Sequence, residues 1–378
     1  MPREEKKNDE DEVLTGNLAR IKEFEEELAR TKYNKHTQGH IGRVKAKIAL
    51  LKQAEEKRTS GGAHGYGYGL KKAGDATALM VGLPSVGKST LLNAITNAQS
   101  KTAAYDFTTI DVVPGVLEYN GAHIQVLDLP GLISGASEGK GRGREVLSVA
   151  RIADLVLITA KASNAEKEIA VIKAELIDAN FRVDTKPPQI TVQPKSMGGI
   201  NVGTAFPLKD MTPGTVKEIL SEFKYHNADV VIKERGVTVD RLIDALSNNR
   251  VYVPSLVVIN KIDLEEEKRI RELKKKFPEA VLISAEKGMG IEIMKKRIWE
   301  KLGLIRVYLK KAGKEPDMNQ PVIMKTGSNI LEAAGKIRGD WKKHLEYGRV
   351  WGPSARFPGQ KLGPEHILMD MDVLEMHM

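Results

Sequence analysis

Apolar positions Leu14, Leu18, Ile21, Phe24 and Leu28 recur at three- and four-residue steps, which predicts a helix with one apolar face. A second helical stretch runs from Ile41 to Leu51. The Gly39-His40-Ile41-Gly42 segment predicts the break between them, so residues 1–60 read as a helix-turn-helix-like hairpin. Ser60 to Gly69 is too glycine-rich for either regular element and reads as a linker or a closing loop.

From Ala76 onward short apolar runs alternate with helical patterns. Thr77 to Val81 predicts a strand and Ser89 to Asn97 a helix. Val116–Tyr119 and His123–Leu127 flank Asn120-Gly121, a strong hairpin signal. Leu155–Thr159, Leu256–Ile259 and Val281–Ile283 are apolar without alternation, as in strands of a parallel sheet covered on both faces. The pattern predicts a doubly wound α/β domain with one antiparallel edge hairpin.

Asp128 and Asn260 stand 132 positions apart, whereas a βαβ unit takes about 30 residues. An α+β insertion is therefore expected, with a strand near Gln189–Val192 and helices at Val216–Phe223 and Asp240–Leu246. After Gly303 a small mixed domain is expected. It has a strand at Ile305–Leu309, a helix capped by Ser328 and running to Ile337, and a half-buried strand at His366–Val373. In that last strand Ile367, Met369, Met371 and Val373 alternate with Asp370 and Asp372. The division is then 1–60 helical, 61–163 with 255–302 the doubly wound domain, 164–254 the insertion and 303–378 the tail.

Composition sharpens the picture. With 41% hydrophobic and 29% charged residues the chain is of ordinary globular type. Cysteine is absent, which excludes disulfides, thiolate metal sites and cysteine nucleophiles. No apolar run approaches the roughly 20 residues that span a bilayer, and Met-Pro-Arg-Glu-Glu-Lys-Lys lacks a signal peptide's apolar core. A cytoplasmic protein without a membrane partner is expected. Within the net charge of +9, Leu28 to Ser60 carries nine Lys or Arg against Glu55 and Glu56. Tyr33, His36 and His40 are interleaved among them, so this stretch reads either as a solvated face or as a polyanion-contacting arm.

Five motifs carry chemistry, all at predicted strand ends. Gly82-Leu83-Pro84-Ser85-Val86-Gly87-Lys88-Ser89, followed by Thr90, fits the phosphate-cradling loop between a strand and a helix. In that pattern Lys88 meets the β- and γ-phosphates and the Ser89 hydroxyl ligates Mg²⁺. Asp128-Leu129-Pro130-Gly131 sets an acid beside Mg²⁺ and a glycine N–H near the γ-phosphate, and a threonine of Phe107-Thr108-Thr109 can complete the metal shell. Asn260-Lys261-Ile262-Asp263 offers a carboxylate for guanine N1–H and its exocyclic amine, a donor pair adenine lacks. Ser284-Ala285-Glu286-Lys287 offers a backbone N–H for guanine O6. Strand carboxyl ends are where open α/β sheets bind ligands.

Ala104-Tyr105-Asp106-Phe107-Thr108-Thr109 and the segment from Gly131 to Glu145, with Gly141-Arg142-Gly143-Arg144, resemble the switch regions of the Obg superfamily of P-loop GTPases. Together with the insertion they resemble the developmentally regulated GTP-binding (DRG) proteins in their archaeal form, over essentially the whole chain. The resemblance implies an N-terminal helical hairpin, a P-loop GTPase domain interrupted by an S5D2-like subdomain, and a C-terminal TGS domain of β-grasp form. It implies GTP and GDP as ligands, Mg²⁺ as cofactor and Thr109 as the switch threonine. The catalytic set is then Lys88, Thr109, Asp128 and Gly131. It also implies work on ribosomes or RNA rather than DNA, often with a small dedicated protein partner.

Leu132 stands where many GTPases carry the glutamine that orients water, so intrinsic hydrolysis is expected to be slow. Ser85 stands where relatives that use K⁺ often carry asparagine, which leaves K⁺ activation open. Arg142, Arg144 and Arg151 are the nearest cations, for catalysis or for RNA and solvent contact. Two other readings stand beside this one. An ATP-preferring relative is disfavoured by Asp263, and an RNA-binding scaffold with a structural nucleotide site is disfavoured by the complete set Lys88, Ser89, Thr109 and Asp128.

Overall fold

The computed structural model describes residues 2–32, 34, 37–60, 74–96, 113–128, 152–247 and 249–377. The switch-like segments, with Phe107, Thr108, Thr109, Gly131, Leu132, Arg142, Arg144 and Arg151, lie outside these residues. So do Tyr33, Lys35, His36 and the glycine run after Ser60. The described residues fall into two compact units. One is drawn from Met1–Tyr68 and Thr185–Tyr252, the other from Gly69–Asp184 and Val253–Met378.

The chain begins with helices α1 (Pro2–Arg30) and α2 (Gln38–Ser60). Ile21, Phe24 and Leu28 of α1 pack on Val44, Ile48 and Leu51 of α2. The expected break at Gly39–Gly42 is instead a helical turn, and the chain reverses over residues 31–37. These glycines serve close approach. A Cβ on Gly42 would lie 3.0 Å from Ile219 Cδ1 and 3.3 Å from Thr215 Cγ2. Glycine's lower helix propensity is the cost of that contact.

The nucleotide-type sheet follows: β1 (Ala76–Gly82), α3 (Lys88–Ile95), β2 (Val113–Tyr119), β3 (Ala122–Asp128), β4 (Leu155–Lys161) and α4 (Ala165–Asp178). The β2–β3 turn is Asn120-Gly121 with φ of 52° and 79°, the left-handed pair this hairpin demands. Helix α4 lies on β4 and β1 through Ile169, Ile172 and Leu176. It therefore belongs with the sheet, and the units divide at Asp184 rather than at Asn164.

The insertion comprises β5 (Ile190–Pro194), β6 (Ile200–Thr204), α5 (Pro213–Glu222), β7 (Ala228–Ile232) and α6 (Val239–Leu246). β7 is central, antiparallel to β5 and parallel to β6. Val216, Ile219, Leu220, Leu242 and Ile243 form its core together with Ala46 of α2. The charge run on α2 meets acids. Arg43 faces Glu218 at 3.7 Å, Lys45 Asp240 at 2.9 Å, Lys47 Glu222 at 3.9 Å and Lys52 Glu25 at 3.2 Å. Of the two readings of that stretch, these four cations favour a surface answered by protein.

The sheet resumes with β8 (Ser255–Asn260), α7 (Glu267–Lys276), β9 (Val281–Leu282) and α8 (Ile291–Leu302). Its order is β9-β8-β4-β1-β3-β2, with only β2 antiparallel. Every residue of β1 is buried, the reason its sequence carries no alternation.

The tail forms β10 (Leu304–Leu309), β11 (Val322–Lys325), α9 (Ile330–Ile337), β12 (Tyr347–Trp351), β13 (Gln360–Leu362) and β14 (Asp372–His377). The order is β11-β10-β14-β12-β13, a mixed β-grasp-type sheet with β10 and β14 parallel. Asn329 caps α9 by accepting from Glu332 N at 2.9 Å, one residue after the expected Ser328. The expected strand at His366–Val373 is displaced to Asp372–His377, and its apolar face points outward. Ile367, Met369 and Met371 are 56%, 51% and 42% exposed, while Leu368 is 1% exposed. Polar anchors set that phase. Asp370 pairs with Arg306 at 2.7 Å, Asp372 accepts from Met369 N at 2.7 Å, and Met371 takes a left-handed φ of 72°.

This sheet is fixed to the amino ends of the nucleotide-type strands. Leu304 and Ile323 join the core beneath α3 and α8. Asp154 accepts from Thr77 N at 3.1 Å and from Lys325 Nζ at 2.8 Å. Asp75 accepts from His123 N and from Lys336 Nζ, both at 3.0 Å.

The glycine contact on α2 gives a test. Gly42→Leu forces atoms into Ile219 and Thr215 and is expected to destabilise its unit by about 1–3 kcal/mol. Gly16→Leu, with nothing within 4 Å of its Cβ, is expected to be neutral or stabilising. Denaturant melts of both variants check the difference.

Candidate functional site

The cradle starts where β1 ends. Gly82 is held so close to β4 that a Cβ would lie 2.6 Å from Thr159 O. Ser85 and Gly87 take φ of 61° and 91°, which turns the chain back on itself before α3 starts at Lys88. Such left-handed turns make anion-binding concavities, and the amino end of α3 adds its dipole. Lys88 Nζ lies inside the turn, 3.0 Å from Gly82 O and 3.3 Å from Leu83 O. Val86 is buried, whereas Pro84, Ser85, Ser89 and Thr90 are exposed around the hollow.

A single buried amide joins this cradle to the other motifs. Asn260, 2% exposed at the end of β8, donates through Nδ2 to Val86 O at 3.0 Å. Its Oδ1 accepts from Lys261 N at 2.8 Å and Ala285 N at 3.0 Å. A Cβ on Gly87 would lie 2.6 Å from Asn260 Nδ2, so glycine there makes room for the amide. Lys261, at φ 66°, sends Nζ to Ser85 O at 3.0 Å. The sequence placed these residues at one edge, and the structure adds that they are hydrogen-bonded to one another.

Asp263 follows in the short 3₁₀ turn Ile262–Leu264. The Ser284 hydroxyl, helped by Lys287, holds its carboxyl below the ordinary aspartate value. Lys287 Nζ stands 3.5 Å from Asp263 Oδ2. The Ser284 side chain also accepts from Lys287 N at 3.2 Å, and its backbone bridges to Met289. Glu286, grouped by sequence with the nucleotide contacts, is exposed beside this network while Lys287 enters it. The motif spacing gave Lys287 no such role.

Asp128 closes β3 at 5% exposure, and its Oδ1 has no hydrogen-bond partner among the described residues. Burial pushes its carboxyl above the ordinary value, and the Lys88 ammonium pulls the other way. A buried, unpartnered carboxylate oxygen beside a loop hydroxyl suits a hard divalent cation that takes oxygen ligands. Thr109 and Gly131, the remaining members of the expected catalytic set, lie outside the described residues.

Comparison with known proteins agrees with this arrangement. Residues 77–194 match the family described as 50S ribosome-binding GTPase, 197–304 a C-terminal region of that MMR_HSR1 domain, and 305–378 the TGS domain. The chain is 48% identical over 358 residues to a GTP-binding protein of Methanocaldococcus jannaschii, covering 94% of this chain and 91% of that protein. It is 41% identical over 366 residues to developmentally-regulated GTP-binding protein 1 of Xenopus laevis, covering 96% and 99%. To the developmentally-regulated GTP-binding protein 2 homolog of Dictyostelium discoideum it is 40% identical over 362 residues, covering 96% and 99%.

The raised Asp128 carboxyl fixes a sign. With a folded value above the unfolded one, ionisation favours the unfolded chain, so the nucleotide-free fold loses stability as pH rises through the folded value. Asp128→Asn is therefore expected to melt higher than wild type at pH 7 without nucleotide. The gap should close as pH falls below the ordinary aspartate value of about 4. Thermal melts across pH check this.

Proposed function

The chain belongs to the developmentally regulated GTP-binding family of P-loop GTPases, and is a GTP-binding protein; on that premise we propose that it hydrolyses GTP to GDP and phosphate as a slow switch. The observation that carries the proposal is the joined site: Asn260 ties the phosphate loop at Val86 to the base-reading segment at Ala285. A nucleotide spanning both halves then meets one preorganised surface.

In this reading the phosphates lie in the turn Gly82–Ser89, where Lys88 neutralises the β- and γ-oxygens. Ser89, Asp128 and Thr109 would hold Mg²⁺, which when bound offsets charge on the β- and γ-phosphates. Gly131 would donate its N–H to the γ-phosphate. The guanine edge pairs with Asp263, kept ionised by Ser284 and Lys287, and the Ala285 region faces O6. Leu132 supplies no hydrogen bond to the attacking water, so turnover depends on help from K⁺ or a bound partner.

We place this switch on ribosomes or RNA in the cytoplasm, with a small protein partner. Two features support that reading, the family's description as ribosome-binding and the outer face of the C-terminal sheet. There Lys361 Nζ stands 3.8 Å from the Tyr347 ring centre, Lys310 Nζ 4.3 Å from that of Trp351, and Arg349 is exposed between them. Cations interleaved with aromatic rings suit single-stranded nucleic acid.

Asp263→Asn is expected to weaken GTP binding at least tenfold, the scale of about 1.4 kcal/mol, and to favour xanthosine nucleotides; ADP and GDP competition checks the wild-type preference. GTP turnover should be slow in Na⁺ and rise with K⁺ or ribosomes. Fast turnover that is equal in both salts without a partner contradicts the switch. Arg349→Ala with Lys361→Ala should weaken RNA binding and lower its salt slope by about 2, one unit per lost phosphate contact.

A further inference from the structure

Helix α7 directly follows the base-reading segment, yet little apolar surface holds it. Leu273 is its one buried residue, with Ile270 half-buried, among Glu267, Lys268, Arg271, Glu272, Lys274, Lys275 and Lys276 on the exposed side. What fixes it is polar. Arg269 Nη1 donates to Glu166 Oε1 at 2.9 Å and Nη2 to Glu166 Oε2 at 2.6 Å. The same guanidinium donates from Nε and Nη2 to Ala162 O at 3.2 and 3.0 Å, and from Nη2 to Ser163 O at 3.4 Å. Lys276 Nζ adds a second cation 3.7 Å from Glu166 Oε1. Glu166 sits in the first turn of α4, where the helix dipole also favours an anion. The Arg269 guanidinium, through its paired hydrogen bonds, holds the Glu166 carboxyl at about 2. A planar fork that fills both carboxylate oxygens and two carbonyls is geometry lysine cannot reproduce.

This clamp lies just past Asp263. Residues 261–266 are held at their start by Asn260, and at their middle by Ile262 N donating to Ile283 O at 3.2 Å and by the Asp263–Lys287 pair. Their far end is held by α7, and α7 by Arg269. On the reading that Asp263 pairs with guanine, we propose that Arg269 and Glu166 form a positioning clamp that sets the residence time of bound guanine nucleotide, and that α7 leaving Glu166 is the motion by which Asp263 comes off the base. The clamp touches neither phosphate nor base, so it governs release rather than hydrolysis itself.

The test follows release of a fluorescent GDP analogue from the full chain in Mg²⁺ by stopped flow. Glu166→Gln and Arg269→Lys are each expected to speed release about tenfold, with association rates within about twofold, as for loss of a bidentate charged contact. Their effects should be non-additive in the double variant. Ile172→Val, in α4 and buried against the sheet without touching α7, serves as a stability control. It should lower the melting temperature without faster release. Wild-type release from both clamp variants overturns the proposal, as does an equal acceleration by Ile172→Val. If the wild-type chain holds ADP as long as GDP, the guanine reading of Asp263 itself fails, and the clamp proposal with it.

Discussion

The chemistry of this protein depends on one buried side-chain amide. Asn260 uses both ends of its carboxamide, donating to the phosphate loop and accepting from the two segments that would read the base. A buried amide left half-satisfied costs about 1–3 kcal/mol for each orphaned group, so the three loops are kept in register by the penalty for separating them. The arrangement requires Gly87, because any Cβ there collides with the amide nitrogen. Two positions far apart in sequence thus constrain one another more tightly than either constrains its own neighbours.

The sheet that carries this amide uses its two ends differently. At the carboxyl ends of β1, β3 and β8 stand Gly82, Asp128 and Asn260, the groups that face the ligand. At the amino ends stand Asp75 and Asp154, each accepting one backbone N–H of the sheet and one lysine of the C-terminal sheet. Leu304 and Ile323 continue the same hydrophobic core. The C-terminal sheet and the nucleotide-type sheet are therefore one packed body. Within it the amino ends of the strands are occupied by protein and the carboxyl ends are left to ligand.

Much of this was legible in the sequence because the signals were physical. Continuous apolar runs marked β1, β4 and β8 as strands covered on both faces, Asn120-Gly121 marked the hairpin, and the motif residues fell at strand ends. What misled were residues whose role is set by distant partners. Gly39 and Gly42 looked like a helix break, but their missing Cβ atoms admit a neighbouring helix. The alternation at Ile367–Val373 suggested a strand, yet Asp370 and Asp372 are recruited by Arg306 and by backbone N–H groups, which turns the apolar side chains outward. The basic run on α2 looked like free charge, and the acids that answer four of its cations lie on α1, α5 and α6. The pairing of Arg269 with Glu166 spans 103 positions, and no local pattern announces it.

The central claim is that phosphate loop and base-reading segment form one surface because Asn260 joins them. Calorimetric titration of GDP into Asn260→Ala, with folding confirmed by circular dichroism, tests it most directly. The predicted result is an affinity lower by about 100-fold or more, the scale of about 2.7 kcal/mol, with guanosine alone and pyrophosphate alone both bound more weakly. A folded variant that binds GDP as tightly as wild type would contradict the account.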